Sequence, residues 1–221
     1  MRVVFATGNE GKMVEIREIM QDFLIKHDIE LVSLKDSDIH ADIVEDGSTF
    51  EENAVIKAKE IAKLTSDIVL ADDSGLEVDF LDKAPGIYSS RFLGEDTSYT
   101  VKNNYILDKL KEVPDDKRTA RFVCVIACAF PDGKIITEKG VIEGYIAHEI
   151  SGEHGFGYDP IFYVPEYGCT TACLPPEKKN EVSHRGRALT KMMKTLEEYL
   201  EGEYYVKALY YNFFCFYVAF G

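Results

Sequence analysis

Asp67-Ile68-Val69-Leu70-Ala71-Asp72-Asp73-Ser74-Gly75 is the stretch on which the fold turns. Its apolar run reads as a strand that carries two adjacent carboxylates to its end, where Ser74-Gly75 turn the chain. Side chains alternate faces along a strand, so both acids reach one cleft only if the pleat breaks there. Neighbouring like charges raise each other's pKa, which calls for a cation to hold them apart. Two chemistries are open: a Mg²⁺ site, or one ionised acid beside one that accepts a proton. A solvated Asp-Asp turn is the plain structural reading.

Upstream, Arg2–Thr7 is apolar and β-branched, and Gly8-Asn9-Glu10-Gly11 forms a loop. Met13, Ile16, Ile19, Met20, Phe23 and Leu24 then recur at helical spacing from Lys12 to about His27. Glu30–Leu34 reads as a second strand, followed by an acidic irregular stretch through Asp46-Gly47. Ser48 and Thr49 precede Glu51 and Glu52 at capping-box spacing and open a helix to about Leu64. Downstream, Glu77–Leu81 reads as a short extension of the central strand, ended by Ala84-Pro85-Gly86. Ser98–Lys111 reads as a helix with Tyr105, Ile106 and Leu110 on one side. Arg118–Phe130 and Lys134–Gly140 read as strands joined by a Pro131-Asp132-Gly133 hairpin, and Val141–Ile150 as a further strand. Ser151–Asp159 is a glycine-bearing loop, and Ser183 caps a final helix to about Glu201. With no internal repeat and no linker, the pattern predicts one α/β unit on a mixed sheet.

At 221 residues and 46% hydrophobic content, the chain suits one large domain or two small lobes. A net charge of −14 argues against a general nucleic-acid binder, which needs a basic face. A few converging cations and a divalent metal still accommodate a single polyanion. Met1-Arg2 leads into a strand with no signal-peptide core. Of five cysteines, Cys124 and Cys128 sit in an apolar run, and Cys169 and Cys173 lack zinc-ribbon spacing. Reduced, mostly structural thiols and a cytoplasmic location are the expectation.

Three further segments carry chemistry. Thr7-Gly8-Asn9-Glu10-Gly11-Lys12 has small residues that expose backbone N–H groups, a helix start and a lysine at its mouth. That suits a phosphate cradle, although it lacks P-loop spacing, and taken alone a tight strand–helix turn is the plainer reading. Gly155-Phe156-Gly157-Tyr158-Asp159-Pro160 offers two rings and a carboxylate, enough to stack a base and bond its edge, or to pack an aromatic loop on the core. Lys179 to Arg187 concentrates cations, with His184 and Arg185 in the first turn of a helix. Arginine there opposes the helix dipole, which an arriving anion offsets.

Together, ATGNEGK (6–12), EDGSTFEENAVIKA (45–58), ADDSGLEVD (71–79), APGIYSSRF (84–92), GFGYDPIF (155–162) and EKKNEVSHRGRAL (177–189) resemble the inosine triphosphate pyrophosphatase family. Its bacterial members are XTP/dITP diphosphatases. The resemblance spans residues 2 to about 201 with six motifs in order. It implies a two-lobed α/β fold, in which a long central mixed sheet is flanked by helices and the cleft lies between the lobes, usually in a homodimer. It also implies Mg²⁺-dependent cleavage of ITP, dITP or XTP to monophosphate and pyrophosphate.

Carried over residue by residue, the resemblance gives Thr7, Gly8, Asn9, Glu10, Gly11 and Lys12 the triphosphate, with Lys57 and Arg91 adding charge and Ser74 touching substrate. Asp73 becomes the proton acceptor that activates water. Asp72, Asp73 and Glu45 become the metal ligands. Phe156, Gly157, Tyr158, Asp159, His184 and Arg185 hold the base, and Lys179 completes the anion site. Donors aimed at O6 go unpaired against adenine's amino group, at about 1–3 kcal/mol each.

The chain departs from the pattern in three places. Val44 stands where an acid is common, Cys169 and Cys173 where lysine and glutamate are frequent, and the family ends near Glu201-Gly202. The domain is therefore read as 1–202, with no membrane partner expected, followed by an aromatic tail, 203–221, of undefined role. For that tail, packing across a dimer interface, an added edge strand and a loose membrane anchor all stay open. Two other readings stay open: a pyrophosphatase for modified pyrimidine nucleotides, and a nucleotide-binding module whose metal site Val44 weakens.

Overall fold

The computed structural model describes the backbone of residues 1–219 and the side chains of residues 1–202. The tail's expected packing, and Cys215, turn on side chains outside that range. The described residues form seven strands and five α-helices. In chain order these are β1 (Arg2–Phe5), α1 (Glu10–Lys26), β2 (Glu30–Ser33), α2 (Phe50–Ala62), β3 (Ile68–Val78) and α3 (Tyr99–Lys109). There follow β4 (Thr119–Ala129), β5 (Ile135–Ile146), β6 (Phe162–Val164), β7 (Cys169–Thr170), α4 (Pro176–Val182) and α5 (His184–Ala219). One mixed sheet runs β2-β1-β3-β4-β5-β6-β7, with β1 parallel to β2 and β3 and every later pairing antiparallel.

Local chemistry explains most element ends. Asn9 caps α1, its side chain accepting the Lys12 N–H at 3.0 Å, so the helix opens two residues before Lys12. Thr49 accepts the Glu52 N–H at 3.1 Å while Glu52 reaches back to Ser48 N–H at 2.7 Å, the capping arrangement expected of that stretch. Ser183 accepts the Gly186 N–H at 3.0 Å at the start of α5.

Three expectations are corrected. The central strand does not stop at its acids: β3 pairs with β4 without a break from Val69 to Val78, with Asp72 opposite Ile126 and Asp73 opposite Val125. Nor is there a strand boundary at Gly140, since β5 pairs with β4 along its length. That glycine serves packing, because a Cβ there would meet the His184 carbonyl at 2.0 Å where α5 seats on the sheet. On α3, Ile106 and Leu110 are buried but Tyr105 points outward.

Three cores result. Leu70, Cys124, Ile126 and Cys128 face α1 and α5, and Val69, Ala71, Val125 and Ala127 face α2. A third core, with Leu76, Val78, Ile106, Leu110, Phe122 and Phe162, fills the far ends of β3–β5 beneath α3. The long strands thus serve two lobes. Burial pushes the Cys124 thiol up to about 12 and that of Cys128 also upward, leaving both inert. No helix of the described residues is long and apolar enough to cross a membrane.

Candidate active site

The cleft exists because β1 is short. Its pairing with β3 ends at Phe5 opposite Leu70, after which the chain leaves through Thr7–Asn9 to start α1. Beyond Leu70, β3 keeps β4 on one side and opens its other edge to the cleft, the position where ligands enter open α/β sheets. Acids from both sheet faces reach that edge, so no break in the pleat is needed. The hollow measures about 390 Å³ and is walled by Thr7, Gly8, Asn9 and Lys12, by Glu45 and Lys57, by Asp72–Gly75, and by Phe156–Asp159, Lys179, His184 and Arg185.

On the α1/α5 face, Asp72 is 1% exposed and fully engaged. Lys12 Nζ lies 2.9 Å from its Oδ2, Arg185 Nη2 lies 3.4 Å from the same oxygen, and the Ser74 hydroxyl donates at 3.2 Å. Burial opposes the Asp72 charge, yet Lys12, Arg185 and Lys57 outweigh it and hold the carboxyl far below the usual range. Arg185 also pairs with buried Glu15, which pairs in turn with Lys179. The dipole penalty expected for Arg185 is therefore met by carboxylates of the fold itself.

On the α2 face, Asp73 is held differently. Asn53 Nδ2 donates to its Oδ2 at 3.1 Å, the Ser74 N–H to its Oδ1 at 3.1 Å, and Lys57 Nζ stands 3.6 Å from Oδ1. Burial pushes this carboxyl above the ordinary value, with Lys57 and Asn53 only partly compensating. Lys57 also bonds Glu45 at 3.0 Å; burial opposes its charge, but Asp73, Asp72 and Glu45 hold its pKa high.

Beside the first turn of α1, where a Cβ on Gly11 would meet its ring at 3.4 Å, Phe156 is half-buried, with Lys179 and Arg185 over its ring at 5.1 and 5.6 Å. Asp159 accepts from Phe156 N–H (2.8 Å), Thr171 Oγ1 (2.9 Å) and Lys179 (2.6 Å), so it fixes this loop. Burial likewise opposes the Lys179 charge, and Asp159 and Glu15 more than restore it. His184 stacks on Phe122, with centroids 4.7 Å apart; burial, then Arg185 and Lys179, push it well below its usual pKa and keep it neutral. Its Nδ1 is buried without a partner. Tyr158 is a wall rather than a platform, its hydroxyl bonded to the Ser89 carbonyl at 2.8 Å.

Three predicted residues do not line the hollow. Glu10 pairs with Lys35 on the surface, Gly11 packs inside the first turn of α1, and Arg91 lies over the Tyr88 ring. Asn53, Glu15, Ser89, Ser90 and Tyr99 escaped the sequence reading. Asn53 shows in the sequence only as a polar residue at the i, i+3, i+7 spacing it shares with buried Phe50 and Lys57 on α2, whereas Glu15 lies off the Met13, Ile16 and Met20 stripe of α1 and gives no such signal. Val44, 73% exposed, points to solvent, whereas Glu45 faces the hollow. Cys169 and Cys173 lie outside this hollow, and among the described residues all four cysteines are free thiols.

The donor set suits a hard divalent cation. Asp73 and Glu45 converge on one ammonium, and Mg²⁺ is commonly held by one or two carboxylates plus phosphate oxygens. Among the described residues no cluster of three or more His, Cys, Asp or Glu forms a protein-only cage. Asp72 is less suited, because its oxygens already serve Lys12, Arg185 and Ser74.

Residues 3–195 match the Ham1 family. A dITP/XTP pyrophosphatase of Desulforamulus reducens is 50% identical over 196 residues, covering 89% of this chain and 96% of that protein. The enzyme of the same name from Exiguobacterium sibiricum is 46% identical, covering 90% and 99%. Among solved structures, the Staphylococcus aureus Ham1 protein superposes with a TM-score of 0.79 at 40% identity, over 90% of this chain and 99% of that one. A HAM1 protein from Coxiella burnetii gives 0.79 at 41%, with the same coverage. Agreement of sequence and fold over nearly the whole described domain leaves one assignment: the chain belongs to the Ham1 family.

Proposed function

We propose that the protein hydrolyses the non-canonical purine nucleoside triphosphates ITP, dITP and XTP, which carry a 6-keto group, to the monophosphate and pyrophosphate. Membership of the Ham1 family and relatives named dITP/XTP pyrophosphatase support the reaction class. The observation that carries it is one hollow that gathers Asp73, a lysine-bearing glycine loop, a half-buried phenylalanine and a neutral histidine. Gly8 supports the phosphate cradle, since a Cβ there would meet nothing within 4 Å and the backbone stays bare to a ligand.

In this reading Thr7, Gly8, Asn9, Lys12, Lys57 and Lys179 bind the phosphates, and Phe156, His184 and Arg185 orient the base. Asp73 takes a proton from the attacking water as its oxygen adds to the α-phosphorus, and pyrophosphate departs. A carboxyl pushed upward by burial is a better proton acceptor than its neighbour Asp72, whose proton affinity is suppressed. Asp73 and Glu45 would hold Mg²⁺, which when bound supplies charge neutralisation at the phosphate oxygens. Asp72 acts by fixing Lys12 and Arg185. A homodimer and a cytoplasmic location belong to the same reading; light scattering checks the first.

The binding-only alternative rested on Val44, and the outward aspect of that side chain removes its motive. A panel of ITP, dITP, XTP, dTTP, GTP and ATP with pyrophosphate detection tests the proposal. Turnover should be fastest for ITP, dITP and XTP; preference for dTTP would reject it.

A further inference from the structure

Helix α3 carries polar residues on its buried face. Counting back from buried Leu110 and Ile106, the stripe continues through Asn103, Lys102 and Tyr99 at the i, i+3, i+4 spacing. Lys102 is 1% and Asn103 2% exposed, rare values for such side chains in the middle of an ordinary helix. Each reaches a different wall of the cleft. Lys102 Nζ donates to the Ser90 carbonyl at 2.6 Å, and Asn103 Nδ2 donates to the Gly157 carbonyl at 3.1 Å. Tyr99 meets Tyr158 edge-on at 5.2 Å and receives the Lys102 ammonium over its ring at 4.9 Å. Tyr158 closes the circuit through its bond to the Ser89 carbonyl. Ser89 in turn accepts the Leu76 N–H at 3.0 Å, which moors that wall to β3 just beyond Asp73.

Burying an ammonium against one carbonyl is costly, and burial alone accounts for the lowered pKa of Lys102. A leucine or methionine would fill the same space without that cost. What Lys102 and Asn103 add is direction: two donors on adjacent residues hold the Ser89–Ser90 segment and the Gly157–Tyr158 loop at a set separation.

We propose that Tyr99, Lys102 and Asn103 are positioning residues that set the width of the cleft at its base-binding end. This rests on the reading above that Phe156, with His184 and Arg185, receives the purine. The cradle at Thr7–Lys12 spans the junction of β1 and α1 and is held by Thr7, Asn9 and Asp72 rather than by α3, so loss of the brace weakens purine capture and spares phosphate capture.

The test uses Lys102→Met and Asn103→Ala in the full chain, with calorimetric binding of IMP and of inorganic pyrophosphate, and with kinetics on ITP. Each variant should bind IMP about tenfold more weakly and pyrophosphate within about twofold of the parent. KM for ITP should rise about tenfold while kcat stays within about threefold. Asn103→Ala gives up a single bond to Gly157 and supplies the result if Lys102→Met fails to fold. Equal weakening of both ligands would show a merely structural role and overturn the inference, as would unchanged IMP binding. A parent protein that binds pyrophosphate but not IMP would instead overturn the purine reading itself, and the brace with it.

Discussion

Asp72 and Asp73 are neighbours on one strand and live in opposite electrostatic worlds. The α1/α5 side gives Asp72 two cations and a hydroxyl, so its charge is fixed. The α2 side gives Asp73 an amide and a lysine shared with Glu45, and leaves burial as the larger influence. Alternation along β3 produces this difference: one residue of advance exchanges one set of helices for the other. A strand edge with unlike faces can thus supply a structural acid and a reactive acid from adjacent positions.

The largest expected effect breaks the comparison at its reactive half. Asp73→Asn should lower turnover by about 10³-fold or more, with an unchanged or raised melting temperature, because a buried charge that burial disfavours is removed. Near-normal pyrophosphate release would show that the two acids do not differ as described. Asp72→Asn should do the reverse in stability, losing about 3 kcal/mol in urea unfolding as Lys12 loses its carboxylate and Arg185 keeps only Glu15.

Acid titration sharpens the contrast. The folded pKa of Asp72 lies below its ordinary 3.8, so its stabilising contribution is present above 3.8 and is lost only as pH falls through the lower folded value. Asp72→Asn should therefore flatten the acid end of the stability curve. For Asp73 the shift is upward, and Lys57 is the chief influence restraining it. Lys57→Met should raise that pKa further and move the acid limb of the kcat profile to higher pH, by about one unit. The smallest effect concerns the apparent departure: Val44→Glu should leave turnover and Mg²⁺ dependence within about twofold, since position 44 faces solvent.

Much of the site was legible because its chemistry is local. The Thr7–Lys12 loop, the Thr49 cap, the Pro131-Asp132-Gly133 hairpin and the Ser183 cap each announce themselves within a few residues. The extent of β3 was hidden because Asp-Asp-Ser-Gly is turn chemistry when taken alone. It stays extended because Lys12, Asn53, Lys57 and Arg185, far off in sequence, satisfy the acids, and β4 pairs with every residue. Gly75 fits the strand for a reason equally remote, as a Cβ there would strike the Gly86 carbonyl at 2.4 Å. Helix α4 was missed because Pro175-Pro176 reads as a break, although proline at the first helical position is favourable.

The ion pairs along one wall alternate in sign from Asp159 through Lys179, Glu15, Arg185 and Asp72 to Lys12. Removing an inner member takes one ion pair from each of two neighbours, whereas removing an end takes one from a single neighbour, so paired replacements along this chain should not sum from their single effects. A second substitution that deletes the stranded opposite charge should restore part of what the first one lost. Variation in this wall is therefore expected to proceed by compensated couples, with lone charge reversals at Glu15 or Arg185 the least tolerated of all.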